Sequence, residues 1–285
     1  MKYLLVICYF FLTYYVQIQT LSCEKLIKTS LIKTSLIVPC CWKHASQINF
    51  LLSEYEQQTE LPDEVIISIS ECARIDSDIL KSLQNKSWIF PVKIILSNKV
   101  QYAGTNRNIA CQHATGDIYI TQDADDFPHP QRIQIIKYIF NQYNTDHLIH
   151  GYISLVEIDK EKDSFYEEFK NFYNLNNLPI IKIKQFNEIW QIGKITNGNI
   201  AISKKVFNKI QWSDNPRGQD TEFNEKVSWL YQNTYIVKIP LLIYRSYLSS
   251  IRNNMLIKTT KSIWSTKESF PVQVINYNSN APSGF

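Results

Sequence analysis

Along the first half of the chain the apolar positions follow two alternating patterns. Short β-branched runs recur at "TSLIVP" (34–39), "EVIISIS" (64–70), "VKIILS" (92–97) and "DIYITQ" (117–122), each with too few polar positions for a half-solvated strand. They read as strands buried on both faces. Between them the period lengthens to that of a helix: Ile48, Leu51, Leu52 and Tyr55 fall at i, i+3, i+4, i+7, and Ala103, Ala110 and Ala114 share one face before Gly116. Pro130 suits the first turn of a further helix that carries Ile133, Ile136 and Phe140. This repeated alternation predicts an α/β fold, with a mostly parallel central sheet flanked by helices on both faces. In such a sheet the ligand site lies beyond the carboxyl ends of the strands.

The second half is less regular. "HLIHGYISLVEI" is a strand pattern, "DKEKDSFYEEFKNFYNLNN" a charged aromatic insertion, and "NGNIAISKKVF" a strand followed by a helix. "RGQDTEFNEKVSWLYQ" opens with turn chemistry and continues as a helix expected to bury Phe223, Val227, Leu230 and Tyr231. "TYIVKIP" and "LLIYRSYLSS" read as paired strands around Pro240, and residues 251–285 as a polar C-terminal tail.

The amino terminus has a different pattern. Lys2 precedes an unbroken apolar stretch from Tyr3 to Val16, after which the chain turns polar. This is the layout of a secretory signal peptide, or of a signal anchor if uncleaved, over residues 1–22. It places the protein in the lumen of the secretory pathway or outside the cell, with membrane contact only through this segment. The duplication "LIKTSLIKTSL" (26–36) then leads into the domain and is too short to be a repeat architecture. Composition is that of a globular chain, 45% hydrophobic and 20% charged, and 7 Gly leave no glycine-rich phosphate loop. The net charge of +4 is spread out, with no basic run interleaved with aromatics, so nucleic acid is not an expected partner. The six Cys show no zinc-ligand spacing, and the expected state is buried free thiols, with room for one disulfide in an oxidising lumen.

The chemistry concentrates in "GDIYITQDADDFPHPQRI" (116–133), where Asp123, Asp125 and Asp126 directly follow the fourth strand, on its ligand edge. Three carboxylates so close repel one another unless a cation lies among them or water screens them. Hard divalent ions such as Mn²⁺ and Mg²⁺ take carboxylate oxygens and keep positions open for phosphate.

"AGTNRNIACQHATGDIYITQDADDFPHPQRI" (103–133) resembles the nucleotide-sugar segment of glycosyltransferase family 2, which has the GT-A fold. Asp123, Asp125 and Asp126 match the family's acidic triplet, Arg107 and Asn108 its Arg-Asn pair, and "SLIVPCCWK", with Pro39, takes the place of its first strand. "RGQDTEF" resembles the second acidic motif and "LLIYRSYLSS" the closing segment. The resemblance implies a GT-A domain over 34–250, with a nucleotide-sugar half (34–126) and a smaller, mixed acceptor-side half (127–250).

It also implies a metal-dependent, inverting, hexosyltransferase-type enzyme that moves a sugar from a nucleoside diphosphate sugar, UDP-sugar favoured, to a hydroxyl of a glycan, protein or lipid. Asp125 and Asp123 would hold Mn²⁺ or Mg²⁺. Pro39, Glu71, Arg107, Asp123 and Asp125 would contact the donor, and Asp220 would serve as base. From the residues themselves, Glu222 reads either as an acceptor-side group or as an exposed first-turn charge, and Trp190 and Trp212, which flank "NGNIA", read either as platforms for an acceptor sugar or as core aromatics. Two departures stand out: "SISEC" offers Ser70 and Glu71 where the family often has Asp-Asp or Asp-Gly-Ser, and Gln219 replaces the usual Glu beside Asp220. The alternatives are a non-catalytic sugar-binding protein of the same fold or an aspartyl-phosphate phosphatase. The second fits poorly, because Asp126 and Phe127 follow Asp125 and the motif lies deep in the chain.

Overall fold

The computed structural model describes residues 32–155, 168–183, 197–245 and 269–277. The chain divides into Met1–Ile32 and Lys33–Phe285, and the fold described here is that of the second unit. The signal segment and Trp190 lie outside the described residues.

In chain order the strands are β1 (Thr34–Cys41), β2 (Glu64–Ser70), β3 (Ser87–Trp88), β4 (Val92–Leu96), β5 (Ile118–Thr121), β6 (Phe127–Pro128), β7 (His147–Leu155), β8 (Ile180–Lys182), β9 (Ile200–Ser203), β10 (Thr234–Arg245) and β11 (Phe270–Asn276). The helices are α1 (Ile48–Tyr55), α2 (Ser77–Asn85), α3 (Ala103–Gln112), α4 (Arg132–Tyr143), α5 (Lys204–Phe207) and α6 (Gln219–Leu230). One sheet takes in all the described strands, ordered β3-β11-β4-β2-β1-β5-β9-β7-β10-β6, with β8 on β10. β11, β4, β2, β1 and β5 pair in parallel, and so do β7 and β10. The short strands β3, β6, β8 and β9 run antiparallel to their neighbours. This is the mostly parallel α/β sheet that the β-branched runs predict.

Burial follows the strand period. Ile37 packs with Ile109 and Ala110 of α3 and with Phe223 and Val227 of α6, whereas Leu36 and Val38, one position away, are buried on the other face. Ile48, Leu51, Leu52 and Tyr55 of α1 are all buried, as are Ile133, Ile136 and Phe140 of α4. Asn106 fastens α3 to the strands. Its amide donates to the Cys40 carbonyl (3.0 Å) and to Ser70 Oγ (3.2 Å) and accepts from Ser68 Oγ (3.0 Å).

The structure corrects three sequence expectations. The two runs around Pro240 form one strand, β10, with register shifts on either side of the proline. A bulge is where a residue without an N–H fits a ladder. Opposite it stands Gly151, whose Cβ, if present, would lie 2.8 Å from the Ile239 carbonyl oxygen. Leu230, expected in the core, is 69% exposed: the buried stripe of α6 runs through Gln219, Phe223, Asn224 and Val227, and the helix ends at Leu230 itself. Finally, the region read as a tail contributes β11, which adds to β4 in parallel from Val272↔Val92 to Asn276↔Leu96 and covers an otherwise open edge.

The four described cysteines, Cys40, Cys41, Cys72 and Cys111, are free thiols, and burial pushes Cys40 and Cys111 well up. Three buried histidines couple stability to pH, and burial lowers His150 well below its ordinary value. Desolvation lowers His129 and His147 to about 4, partly offset by hydrogen bonds to the Asn171 carbonyl and to Asn224. An unfolded histidine titrates near 6.5, so between about pH 6.5 and 4 the unfolded chain binds more protons than the folded one. Stability is therefore fully present above about pH 6.5 and falls on acidification, by about 1.4 kcal/mol per pH unit for each histidine. Urea midpoints measured from pH 7 to 4.5 should decrease steadily, and more shallowly in His147→Gln.

Candidate active site

The carboxyl ends of β1, β2 and β5 converge with α3, the turn at Asn197–Asn199 and the start of α6. β5 ends at Thr121, and Gln122 begins the acidic turn by donating its backbone N–H to the Ile37 carbonyl (2.9 Å). The turn closes on itself through Asp126 N–H to the Asp123 carbonyl (3.2 Å).

The three residues Asn106, Arg107 and Asn108 point in different directions, as a helical step of about 100° requires. Asn106 faces the strands. Arg107 faces the acidic turn, its Nη2 2.5 Å from Asp123 Oδ1, and is only 3% exposed. Asn108 exchanges two hydrogen bonds with the Trp212 backbone (2.8 and 3.0 Å). Nε and Nη1 of Arg107 are buried without a hydrogen-bond partner among the described residues. A buried guanidinium with two unspent donors is costly, and it is suited to receive anionic oxygens.

Asp123 and Asp125 occupy different environments. Asp123 has one oxygen committed to Arg107 and is about one quarter exposed. Asp125 is more open, with His44 Nδ1 3.7 Å from its Oδ2. Asp126 is buried. Gly198 faces the turn so closely that a Cβ there would lie 3.2 Å from Asp123 Oδ2 and 3.3 Å from Asp126 Oδ2. Tyr244 of β10 also borders the turn: burial first, and then the three carboxylates, push its phenol up.

These residues fit a hard divalent cation. The donors are carboxylate oxygens, Asp125 is accessible, and the missing Cβ at Gly198 keeps the space beside Asp123 open. Among the described residues no three His, Cys, Asp or Glu form a complete cage. An ion such as Mg²⁺ that retains water and phosphate oxygens needs only one or two carboxylates from the protein.

Asp220 is the second residue of α6, and the cap position is held by Gly218 at φ 76°. The start of α6 packs on the start of α3 at Gly104, where a Cβ would overlap Gln219 Oε1 and the Ser213 carbonyl. Behind Asp220, its carbonyl accepts from Asn224 Nδ2 (2.7 Å), and Asn224 Oδ1 accepts from Nε2 of buried His147 (2.8 Å). The Asp220 backbone is thereby anchored to the core while its side chain remains part-exposed. Glu222 is different: Lys226 (2.6 Å) and Ser213 Oγ (2.5 Å) hold its carboxylate, and these bonds lower its pKa.

The remaining expected site residues are distributed as follows. Pro39 is buried within β1 opposite Ser68, beyond the last residue paired with β5, where its missing N–H costs no ladder bond on that side. Ser70 is buried. Glu71 stands at the strand end in a left-handed conformation (φ 53°) and pairs with Arg74 at 2.6 Å. Trp212 is corrected from the acceptor-side group to the core, because it is 3% exposed and stacked on Phe223 at 3.9 Å. The sequence does not single out Trp42 and Arg74, and it gives His44, which lacks metal-ligand spacing, a structural reading. The Arg74 guanidinium lies 4.2 Å over the Trp42 ring. Trp42 and His44 directly follow β1 and Arg74 follows β2, so the rule that ligands gather at strand carboxyl ends was the signal that could have found them.

The profile of the family described as "Glycosyl transferase family 2" matches residues 35–211. Among solved structures, S. aureus TarS 1–349 in complex with UDP-GlcNAc is similar at TM-score 0.57 and 16% identity, over 76% of this chain and 59% of that one. The same protein in complex with UDP gives TM-score 0.54 and 15% identity, over 75% and 61%. A mycobacterial protein gives TM-score 0.50 and 11% identity, over 79% and 71%. At such identities the likeness is one of fold, and this chain spans about three fifths of the TarS 1–349 chain. No curated protein matches the sequence. With the profile spanning both the acidic turn and the strands that position it, the chain belongs to glycosyl transferase family 2.

Proposed function

We propose that the protein transfers a sugar, with inversion, from a nucleoside diphosphate sugar to a hydroxyl of a glycan, protein or lipid acceptor, in the presence of Mn²⁺ or Mg²⁺. The observation that carries this reading is the buried Arg107, which is paired with Asp123 of the acidic turn and has two unspent donors. A UDP-sugar is favoured as donor, because the similar TarS structures hold UDP and UDP-GlcNAc. The Lys2-led apolar segment supports a secretory location.

Asp125, with the free oxygen of Asp123, would hold the cation, which when bound supplies positive charge against the departing diphosphate. The free Nε–H and Nη1–H of Arg107 would donate to the same phosphate oxygens. Asp220, in its unprotonated form, takes the proton of the acceptor hydroxyl. The acceptor oxygen forms the new bond to the anomeric carbon, and the bond to the phosphate oxygen breaks with its electron pair leaving on the nucleoside diphosphate. Attack from the face opposite the leaving group inverts the carbon, as in two-carboxylate glycoside chemistry with separate acid and base sides.

The test is a panel of nucleotide sugars assayed for release of nucleoside diphosphate with Mn²⁺, with Mg²⁺ and with excess chelator. Metal-restored release from one donor is expected. Full activity in chelator would remove the cation from the reading, and no release from any donor would favour a sugar-binding role.

A further inference from the structure

We infer that Arg132, acting through Gln122, is the positioning residue that sets the geometry of the acidic turn for cation and donor. The inference rests on the donor-site reading above. Arg132 is the first residue of α4 and is completely buried. All five of its donor hydrogens are used: Nε donates to His150 Nε2 (3.1 Å), Nη1 to Tyr55 Oη (2.8 Å) and Gln122 Oε1 (2.7 Å), and Nη2 to the carbonyls of Thr121 (2.7 Å) and Gly198 (2.7 Å). None of these acceptors carries a negative charge. A fully desolvated cation bonded only to neutral groups is expensive as pure scaffolding, and a hydrophobic side chain of similar size commonly serves a core as well or better.

The bonds lead to both sides of the site. Gln122, whose Oε1 also accepts from Tyr55 Oη (2.8 Å), turns its Nε2 outward and donates to the carbonyls of Asp123 (2.9 Å) and Asp126 (3.1 Å). One amide thus grips the first and last residues of the turn that presents Asp125. The bond to Gly198 fixes the segment that faces Asp123 and Asp126. The guanidinium therefore sets both the conformation of the turn and its distance from the opposite wall.

Charge is the second contribution. With Arg107 on Asp123 and the uncompensated Arg132 beneath, two cations oppose the mutual repulsion of Asp123, Asp125 and Asp126 before any ligand arrives. His150 suits this arrangement as a neutral acceptor, because burial first, and then Arg132, lower its pKa well below the ordinary value. Its Nδ1–H donates to the Gly151 carbonyl (2.8 Å).

The test separates geometry from charge and binding from turnover. Gln122→Asn shortens the amide by one methylene, so that it cannot hold Arg132 and the turn together, while Arg132→Lys keeps the charge but loses the planar fork. Mn²⁺ binding is read by the electron paramagnetic resonance of the free ion, with thermal melting and KM for the donor found in the panel. Gln122→Asn is expected to melt cooperatively and to bind Mn²⁺ about 10- to 100-fold more weakly, the usual effect of losing support behind a metal ligand. Its donor KM should rise in parallel, and Arg132→Lys should do the same with a lower Tm. If Mn²⁺ binding by both variants stays within about twofold of wild type, whatever their Tm, Arg132 is scaffold and the inference fails. A wild-type protein that binds no Mn²⁺ and turns over no donor overturns the functional reading, and the inference with it.

Discussion

Asp125→Asn should lower sugar transfer by roughly 10³-fold, which corresponds to about 4 kcal/mol of lost transition-state stabilisation, and should leave the melting temperature nearly unchanged. Both halves of this expectation follow from position. Asp125 is the most open of the three carboxylates, its side chain 31% exposed, and His44 Nδ1 lies 3.7 Å from its Oδ2. Its loss removes the charge that would hold the cation, from a part-exposed position where water screens what the carboxylate contributes to the fold. Asp123→Asn should behave differently. It leaves the Arg107 guanidinium, 3% exposed, without its counter-charge, and breaking such a buried pair costs about 3 kcal/mol or more, toward the low end because Asp123 is part-exposed. Calorimetric melting of the two variants beside their donor turnover checks this. Equal melting losses would mean that the two carboxylates share one structural role.

That contrast was not legible in the sequence, which gives Asp123 and Asp125 the same residue type one position apart. The sheet was legible because β-branched runs without a polar face have few alternatives to a buried parallel strand. The acidic turn was placed correctly at a strand's carboxyl edge for the same reason. The partners of each carboxylate were not, because they come from α3, from the loop after β1 and from the segment at Gly198, far apart in sequence. Composition also hid Arg132: an arginine at the start of an amphipathic helix ordinarily reads as solvated, and only the tertiary fold shows that α4 begins beneath the turn. For Trp212 the sequence leaves a sugar platform and a core aromatic both open, and the fold decides for the core because Phe223, eleven residues further on, covers its face. The extra strand β11 carries alternating character in "FPVQVIN" that could have been read as an edge strand, and its position after a polar stretch concealed it.

Asp220→Asn is expected to bind the nucleotide sugar almost as well as wild type and to transfer the sugar roughly 10² to 10⁴ times more slowly, the range for losing a positioned general base. Asparagine keeps the shape and hydrogen-bonding reach of the side chain but cannot take the acceptor's proton. A purely structural role predicts something else. Gly218, not Asp220, holds the cap position of α6, so the local contribution of the carboxylate is its interaction with the helix dipole, about 0.3 to 1 kcal/mol at an exposed first turn. Asn224, His147 and Gly104 would still fix the backbone. A scaffold role would therefore show as a small melting shift with turnover largely intact, and a catalytic role as the reverse. The nearest replacement base is Glu222, two residues on, but Lys226 and Ser213 Oγ already hold its carboxylate as a poor proton acceptor. Glu222→Gln should accordingly change turnover far less than Asp220→Asn. Donor binding, turnover and Tm measured on both variants separate the cases, and normal turnover by Asp220→Asn would move the base to another residue of the site.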